Sequence, residues 1–464
     1  MLLGFVFQGV IAASLGITAE SDAFQLAWTI VTFGTVTIFT MVTNFMVPRM
    51  HTDTAGEVAF ADWWKMPSFG LLLSLAQVCI AIAVGLESDT GVILLASSPS
   101  SLLAGFGAIP RAVAYIQGRI ALASLGPVIN GLVMMTLGLM WGGDLSPLRL
   151  GLILTFAYLA QAALVAVPLL GSLPRLAPSA SSSLIAFVGV SSFTLLSKFQ
   201  PVVERLLSVA VAEGAATALG FGQRLAQGIL LVASFGLALT ATAALTRHLR
   251  ANDLDKLSVT LGRTIGGSVL LGSLTVGLAL PLALPVTTLL LERGAFSRED
   301  TRYVVTVLVL LLPWVLGSSM TGVLTQYLYV ERSYKRVAIA SVVGIASTIT
   351  FTCVFAFITP EFAVAIGSSV ASWATFLYVA HLVRLSPVFP MLRKQLAVIY
   401  TLALVGLTIM LTAVVTYVAT RYTLRLDDSA QSVLTIVAVL ACTGFLLSVR
   451  RVRHLARDAL LQKI

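Results

Sequence analysis

The chain has 464 residues, of which 58% are hydrophobic and only 11% charged, and its formal net charge is +9. Both fractions lie outside the soluble globular range and fit an integral membrane protein. A large soluble α-domain is excluded, because its surface needs more charge than this chain carries. Cys79, Cys353 and Cys442 sit in apolar runs without CxxC or Cys/His spacing, so they read as small hydrophobes rather than disulfide partners or metal ligands. No basic stretch precedes the first apolar run, so no cleavable signal peptide is read.

A hydrocarbon core of roughly 30 Å takes roughly 20 apolar helical residues to cross. On that basis fourteen spans are predicted: 1–16, 23–47, 68–87, 92–117, 120–142, 150–170, 185–211, 217–245, 265–291, 303–330, 337–359, 361–384, 395–420 and 430–448. The first is short for a full crossing; either it inserts thinly, or the true start lies upstream of Met1. With the N-terminus cytoplasmic, nineteen Lys and Arg fall in cytoplasmic loops and the tail. Six fall outside: Arg149, Arg293, Arg298, Arg302, Arg421 and Arg425. This bias predicts a multi-pass protein of the cytoplasmic (inner) membrane with both termini cytoplasmic. The tail "SVRRVRHLARDALLQKI" is basic and amphipathic, suited to an anionic inner leaflet. Topology thus accounts for the net charge, and no nucleic-acid partner is implied.

Two turns repeat. "RIALASLG" from Arg119 opens the fifth span, and "RVAIASVVG" from Arg336 opens the eleventh, 217 residues later. Six helices separate them, so both copies have the same orientation, as in parallel lobes related by an axis along the membrane normal. The expected organisation is all-α: an N-terminal lobe at 1–175 (spans 1–6), a C-terminal lobe at 176–390 (spans 7–12), and a helix pair with its basic tail at 391–464. In such folds the substrate path runs between the lobes.

Four ionisable residues lie well within spans: Lys198, Glu204 and Arg205 on the seventh and Arg224 on the eighth. Arg111, after Pro110, is expected to snorkel to the membrane surface. Lys198 and Arg205 are two helical turns apart and share a face provided Pro201 leaves the helix straight. Gln223, Arg224 and Gln227 form a stripe on the next span. Arg205 and Arg224 both come out about 10 Å below the outer surface. Glu204 alone cannot neutralise three cations, and burying the remainder in lipid costs at least a few kcal/mol per unpaired charge. A wet cavity that binds an anion avoids that cost. The planar guanidinium fork suits phosphate oxygens, which points to a phosphate or pyrophosphate headgroup.

Other readings stand beside this one. Glu204 could neutralise one arginine in a packed structural network. A membrane glycosyltransferase or ligase would need carboxylates or a histidine on a sizeable outer loop. His51, His248, His381 and His454 have no metal spacing, and the outer loops are short. A multidrug exporter for organic cations would need cavity acids, and a non-transporting scaffold would bind neither kind of ligand. No Walker A sequence occurs, and no catalytic residue or cofactor is expected.

Several stretches carry a family resemblance: "LGFVFQGVIAASLGITAESDAF", "GRIALASLGPVINGLVMM", "VVERLLSVAVAEGAATALGFGQRLAQGILLVASFGLALTATAAL" and "LLERGAFSREDT". The chain resembles the MurJ (MviN) lipid II flippase family, within the multidrug, oligosaccharidyl-lipid and polysaccharide exporter superfamily. The resemblance implies fourteen spans in two lobes around a cationic cavity, and no enzymatic chemistry. It also implies transfer of a polyprenyl-pyrophosphate-linked cell-wall precursor between leaflets, in peptidoglycan biosynthesis and cell-shape maintenance. Implied partners are the lipid-linked glycan, membrane lipids and cell-wall synthesis enzymes; the alternative cargo is an exopolysaccharide- or O-antigen-type lipid-linked oligosaccharide. Arg224 matches the family's basic position on the eighth span, Glu204 and Arg205 its acid–base pair on the seventh, and Asp22 the acid opening the second. Phe7 and Thr35 stand where the family's first lobe carries cavity arginines. The expected substrate-binding set is Asp22, Lys198, Glu204, Arg205, Gln223, Arg224 and Gln227.

Overall fold

Long apolar runs leave the backbone no hydrogen-bonding partner but itself, so this chain folds into helices. The structure is a computed structural model that describes residues 2–47, 51–52, 58–59, 64–142, 145–172, 184–231, 241, 244–249, 251–331, 333–420, 428–449, 452 and 454–455. The N-terminal helices are α1 (Leu2–Leu15), α2 (Ala19–Met41), α3 (Lys65–Val84), α4 (Asp89–Ser97), α5 (Pro99–Ile116), α6 (Ile120–Trp141), α7 (Pro147–Ala166), α8 (Leu184–Lys198) and α9 (Gln200–Val211). The others are α10 (Ala215–Leu230), α11 (Leu254–Leu291), α12 (Arg298–Val330), α13 (Tyr334–Ala356), α14 (Ala363–Arg384), α15 (Phe389–Leu392), α16 (Leu396–Val418) and α17 (Asp428–Ser448). Besides helix, the described residues include one antiparallel pair of two-residue strands, with His51 opposite Ala59. Among the described residues, ten helical stretches are long and apolar enough to cross a membrane. The protein is therefore a multi-pass, all-helical membrane protein. Arg49, Arg175, Arg250, Arg332, Arg421 and Arg425 of the orientation argument lie outside the described residues, as do Arg450, Arg451, Arg453, Arg457 and Lys463 of the tail.

Two predicted spans are broken. The fourth divides at Ser98, where Pro99 starts α5, and the seventh at Phe199, where Pro201 lies in the first turn of α9. Proline fits a first helical turn but cannot donate within a continuing helix, so each break falls where the sequence placed one.

The chain forms two compact units, Met1–Thr217 with Leu290–Asp300, and Ala218–Leu289 with Thr301–Ile464. In the first, α2 is the central helix. Phe7, Phe24 and Trp28 form an aromatic cluster with centroids 5.1–6.1 Å apart. A second cluster joins Phe45, Phe69 and Phe187, so α8 packs in this unit. Helices α3 and α5 touch backbone to backbone: a Cβ on Gly105 would lie 2.8 Å from the Met66 carbonyl and 3.2 Å from Gly70 Cα. Small residues allow this approach, the main source of helix association where lipid is as apolar as the side chains. The second unit uses the same device between α13 and α14, where a Cβ on Gly367 would meet the Thr352 backbone nitrogen at 2.8 Å. Its C-terminal pair, α16 and α17, packs through Leu402, Val405, Ile409 and Val439 with Leu270 of α11.

Prolines inside membrane helices orphan the carbonyl four residues earlier, and lipid offers no substitute donor. At three prolines the structure supplies other donors. Pro99 orphans Leu95, whose carbonyl accepts from the Ser98 N–H at 3.2 Å and Oγ–H at 2.8 Å. Pro285 orphans the carbonyl of Pro281, which accepts from Ser432 Oγ of α17 at 2.8 Å. Pro127 orphans Ala123, whose carbonyl accepts from Arg111 Nε at 3.2 Å and Nη2 at 3.0 Å. That last bond corrects the expectation for Arg111. The side chain does not snorkel; it is 7% exposed, and its guanidinium lies 4.2 Å from the Phe39 ring centre.

Candidate functional site

Helix α2 starts with a reciprocal cap, in which Thr18 Oγ1 accepts from Ser21 N–H and Ser21 Oγ accepts from Thr18 N–H. This fixes Asp22 in the first turn, buried at 5% exposure. Its carboxylate accepts three hydrogen bonds from the start of α10: Gly214 N–H at 2.6 Å, Thr217 N–H at 2.7 Å and Thr217 Oγ1–H at 2.6 Å. Ser21 Oγ and Thr217 Oγ1 are 2.9 Å apart beside it. The first N–H groups of a helix have no internal partner and carry the positive end of its dipole, so a carboxylate from another helix satisfies both requirements. Asp22 thus latches α2 to the α9–α10 turn.

Helix α9 buries Val202, Val203, Glu204, Arg205 and Ser208. Gln200 Nε2 donates to Glu204 Oε1 at 3.0 Å, and Ser208 Oγ donates to the Glu204 carbonyl at 2.8 Å. Arg205 is close enough to Asp22 to act on it electrostatically. Two carboxylates therefore accompany Arg205, where the sequence showed one. Lys198 ends α8 on the far side of the Phe199 break and is exposed. The seven-residue spacing does not carry Lys198 and Arg205 along one continuous helix face.

Helix α10 packs closely on α12, where a Cβ at Gly222 would meet Val307 Cγ1 at 2.8 Å. Phe221 and Ala226 are buried with it. Gln223 falls on this packed side at 7% exposure, whereas Arg224 is half-buried and Gln227 exposed. Arg224 and Gln227, three residues apart, share the open face. Among the described residues no group of three or more His, Cys, Asp or Glu is placed to hold a metal ion.

The family model of the lipid II flippase MurJ matches residues 90–435. The chain belongs to the MurJ family. Membership makes it a membrane transporter of the lipid flippase class, in peptidoglycan biosynthesis. Among solved structures it is similar to a lipid II flippase MurJ in an inward closed conformation, with TM-score 0.73 and 14% identity over 96% of each chain. It is also similar to an inward-facing multidrug resistance MATE family transporter of the MOP superfamily, with TM-score 0.59 and 10% identity over 86% of this chain and 94% of that one. A MATE transporter in the bent conformation gives TM-score 0.59 and 12% identity over 85% and 93%. At these identities the likeness shows the fold. No curated protein sequence matches the chain.

Phe7 and Thr35, which the sequence resemblance sets against the family's first-lobe arginines, are core residues. Phe7 is fully buried in the aromatic cluster, and the Thr35 and Tyr158 hydroxyls are 2.7 Å apart in the interior of the first unit. Tyr158 and Phe39 share a cavity of ≈ 10 Å³ with Arg111 and Gln161, room for about one water. A guanidinium does stand inside the first unit, then, but on α5. Sequence reasoning missed it, although Pro127 had already announced an orphaned carbonyl on the facing helix.

Proposed function

We propose that the chain moves a polyprenyl-pyrophosphate-linked cell-wall precursor, lipid II or a close analogue, across the cytoplasmic membrane by alternating access. The headgroup travels through the protein while the polyprenyl tail stays in lipid. Both termini are cytoplasmic, and fourteen spans form two six-helix lobes, 1–175 and 176–390, followed by the pair at 391–464. Solved structures of this fold in inward closed and inward-facing states support such a cycle. One observation carries the assignment of the site: Arg224 and Gln227 share the open face of α10, whose opposite face packs at Gly222. Arg224 binds the pyrophosphate by its planar fork, with Gln227 and the exposed Lys198 as further donors. Asp22, Glu204, Arg205 and Gln223 are buried and hold the helices that present them. The Asp22 latch closes the outer end, where the second span begins, and opening it completes the cycle.

Transfer of lipid II by the purified protein in vesicles tests the reading. Arg224→Ala is expected to lower transfer at least tenfold, and Arg224→Lys to restore part of it, since charge remains but the fork does not. Wild-type transfer by a well-folded Arg224→Ala protein would reject Arg224 as the headgroup contact. Transfer of an O-antigen-type lipid in preference to lipid II would assign the alternative cargo.

A further inference from the structure

Within the second unit, α14 ends at Arg384 and α16 begins at Leu396, joined by a turn that contains α15. The turn lies where one membrane-crossing stretch, Pro360–Arg384, ends and the next, Phe389–Val418, begins. It is held firmly: Val388 and Leu392 are buried, and Tyr327 of α12 donates a hydrogen bond to Ser386 Oγ at 3.1 Å. Helix α11 abuts it as well, since a Cβ on Gly262 would lie 2.7 Å from Gln395 Cβ.

Between α14 and α16 lies a cavity of ≈ 570 Å³, with Leu377, His381 and Arg384 on one wall and Arg393, Leu396 and Tyr400 on the other. On α14 these residues fall at i, i+4 and i+7, and on the facing segment at i, i+3 and i+7, so each set forms one stripe. The two stripes are graded alike. His381, Arg384 and Arg393 lie at the turn end, and Leu377, Leu396 and Tyr400 lie further along the spans. Leu377 and Tyr400 are each 64% exposed, so the apolar part opens sideways. Among the described residues no carboxylate pairs with Arg384 or Arg393. The sequence holds no acid between Glu361 and Asp427.

A cationic mouth above an apolar groove, at the edge of the hydrocarbon layer, matches one class of ligand. We infer that this cavity binds an anionic phospholipid, its phosphate on His381, Arg384 and Arg393 and an acyl chain along Leu377, Leu396 and Tyr400. A free phosphate would leave the apolar half of the cavity unused. A zwitterionic lipid would bring its own cation to the two arginines. The site is separate from Arg224 and does not depend on which glycan is carried.

The test is native mass spectrometry of the delipidated full chain, titrated with dioleoylphosphatidylglycerol or dioleoylphosphatidylcholine. Phosphatidylglycerol is expected to bind more tightly. Arg384→Gln with Arg393→Gln should weaken it roughly 25-fold, about fivefold per arginine, and leave phosphatidylcholine binding as it was. The charge-conserving pair Arg384→Lys and Arg393→Lys should retain most of the affinity, which separates lost charge from lost folding. Glycerophosphoglycerol, which lacks acyl chains, should bind at least tenfold more weakly. Unchanged phosphatidylglycerol affinity in the glutamine variant would overturn the inference. Equal binding of inorganic phosphate that the glutamine variant loses would overturn it too, as would tighter binding of polyprenyl pyrophosphate than phosphatidylglycerol that the same variant loses.

Discussion

Arg111 and Pro127 should be energetically coupled although they lie on different helices. Pro127 has no N–H, so the Ala123 carbonyl loses its helical donor, and the Arg111 guanidinium supplies two hydrogen bonds in its place. Arg111→Met keeps much of the side-chain volume but leaves that carbonyl buried and unmatched, at a cost of about 1–3 kcal/mol. Pro127→Ala returns the N–H and removes a residue disfavoured inside helices. Arg111 then has a competitor for its acceptor. Among the described residues it has no acid partner. Replacing it in that background should therefore be neutral or stabilising, as for other buried charges exchanged for apolar groups. The assay is a double-mutant cycle on thermal unfolding of the detergent-purified protein. A loss of about 2 kcal/mol corresponds to roughly 4–8 °C for a unit of this size, so Arg111→Met should lower the midpoint by that much only when Pro127 is present. An equal drop in both backgrounds would refute the reasoning and make Arg111 a packing residue or an electrostatic one.

Three other predictions concern the latch, the packing and one cap. Ser21→Cys with Thr217→Cys, made after replacing the native cysteines, should form a disulfide across the 2.9 Å hydroxyl contact and stop lipid transfer until it is reduced; crosslinked protein that transfers normally would show that the contact does not open. Gly367→Ala should destabilise by about 1–3 kcal/mol, because its Cβ meets Thr352 backbone, whereas Gly322→Ala, with nothing within 4 Å, should be neutral or mildly stabilising; chemical unfolding distinguishes them. Asp253 lies outside the spans, and the Lys256 N–H, with the Lys256 ammonium 3.0 Å away, holds its carboxyl below the usual 3.8. Its charged cap on α11 therefore stabilises the helix start above that value and is lost as pH falls through the lower folded one. Hydrogen exchange at residues 254–257, corrected for intrinsic rates, should rise there in wild type and show no such step in Asp253→Asn.

The helical, membrane-spanning character was legible because length and hydrophobicity are local properties, whereas among the described residues ten stretches, not fourteen, are long and apolar enough to cross. Proline marks both breaks, Pro99 in the fourth predicted span and Pro201 in the seventh. The role of Asp22 was not legible. Its partners lie 192 and 195 residues away, and no pattern around Asp22 names them. On α10 the spacing of Gln223, Arg224 and Gln227 did predict a stripe. Burial divides it, because the packed side of the helix is set by the approach of Gly222 to Val307, which periodicity does not contain. Arg111 was misjudged for a related reason. Its own span says nothing of its decisive partner, the Ala123 carbonyl, which sits on the next helix.

These placements bear on which charges the proposed site uses directly. Counted along the spans, Glu204 faced three cations, which made every one of them a candidate ligand. Folding brings Asp22 into the field of Arg205, and Asp22 in turn grips the first turn of α10. Arg224 lies seven residues beyond Thr217 on that same helix, two turns along it. In the proposed mechanism Arg205 acts on the headgroup without touching it, through the carboxylate that caps the start of α10. The two roles separate experimentally. A ligand lost at Arg224 should weaken headgroup binding directly, whereas loss of Arg205 should loosen the α2–α10 latch. Arg205→Ala should thus expose the Gly214–Thr217 amides to hydrogen exchange even without substrate, and Arg224→Ala should not. Protection of those amides unchanged in Arg205→Ala would return Arg205 to the list of headgroup ligands.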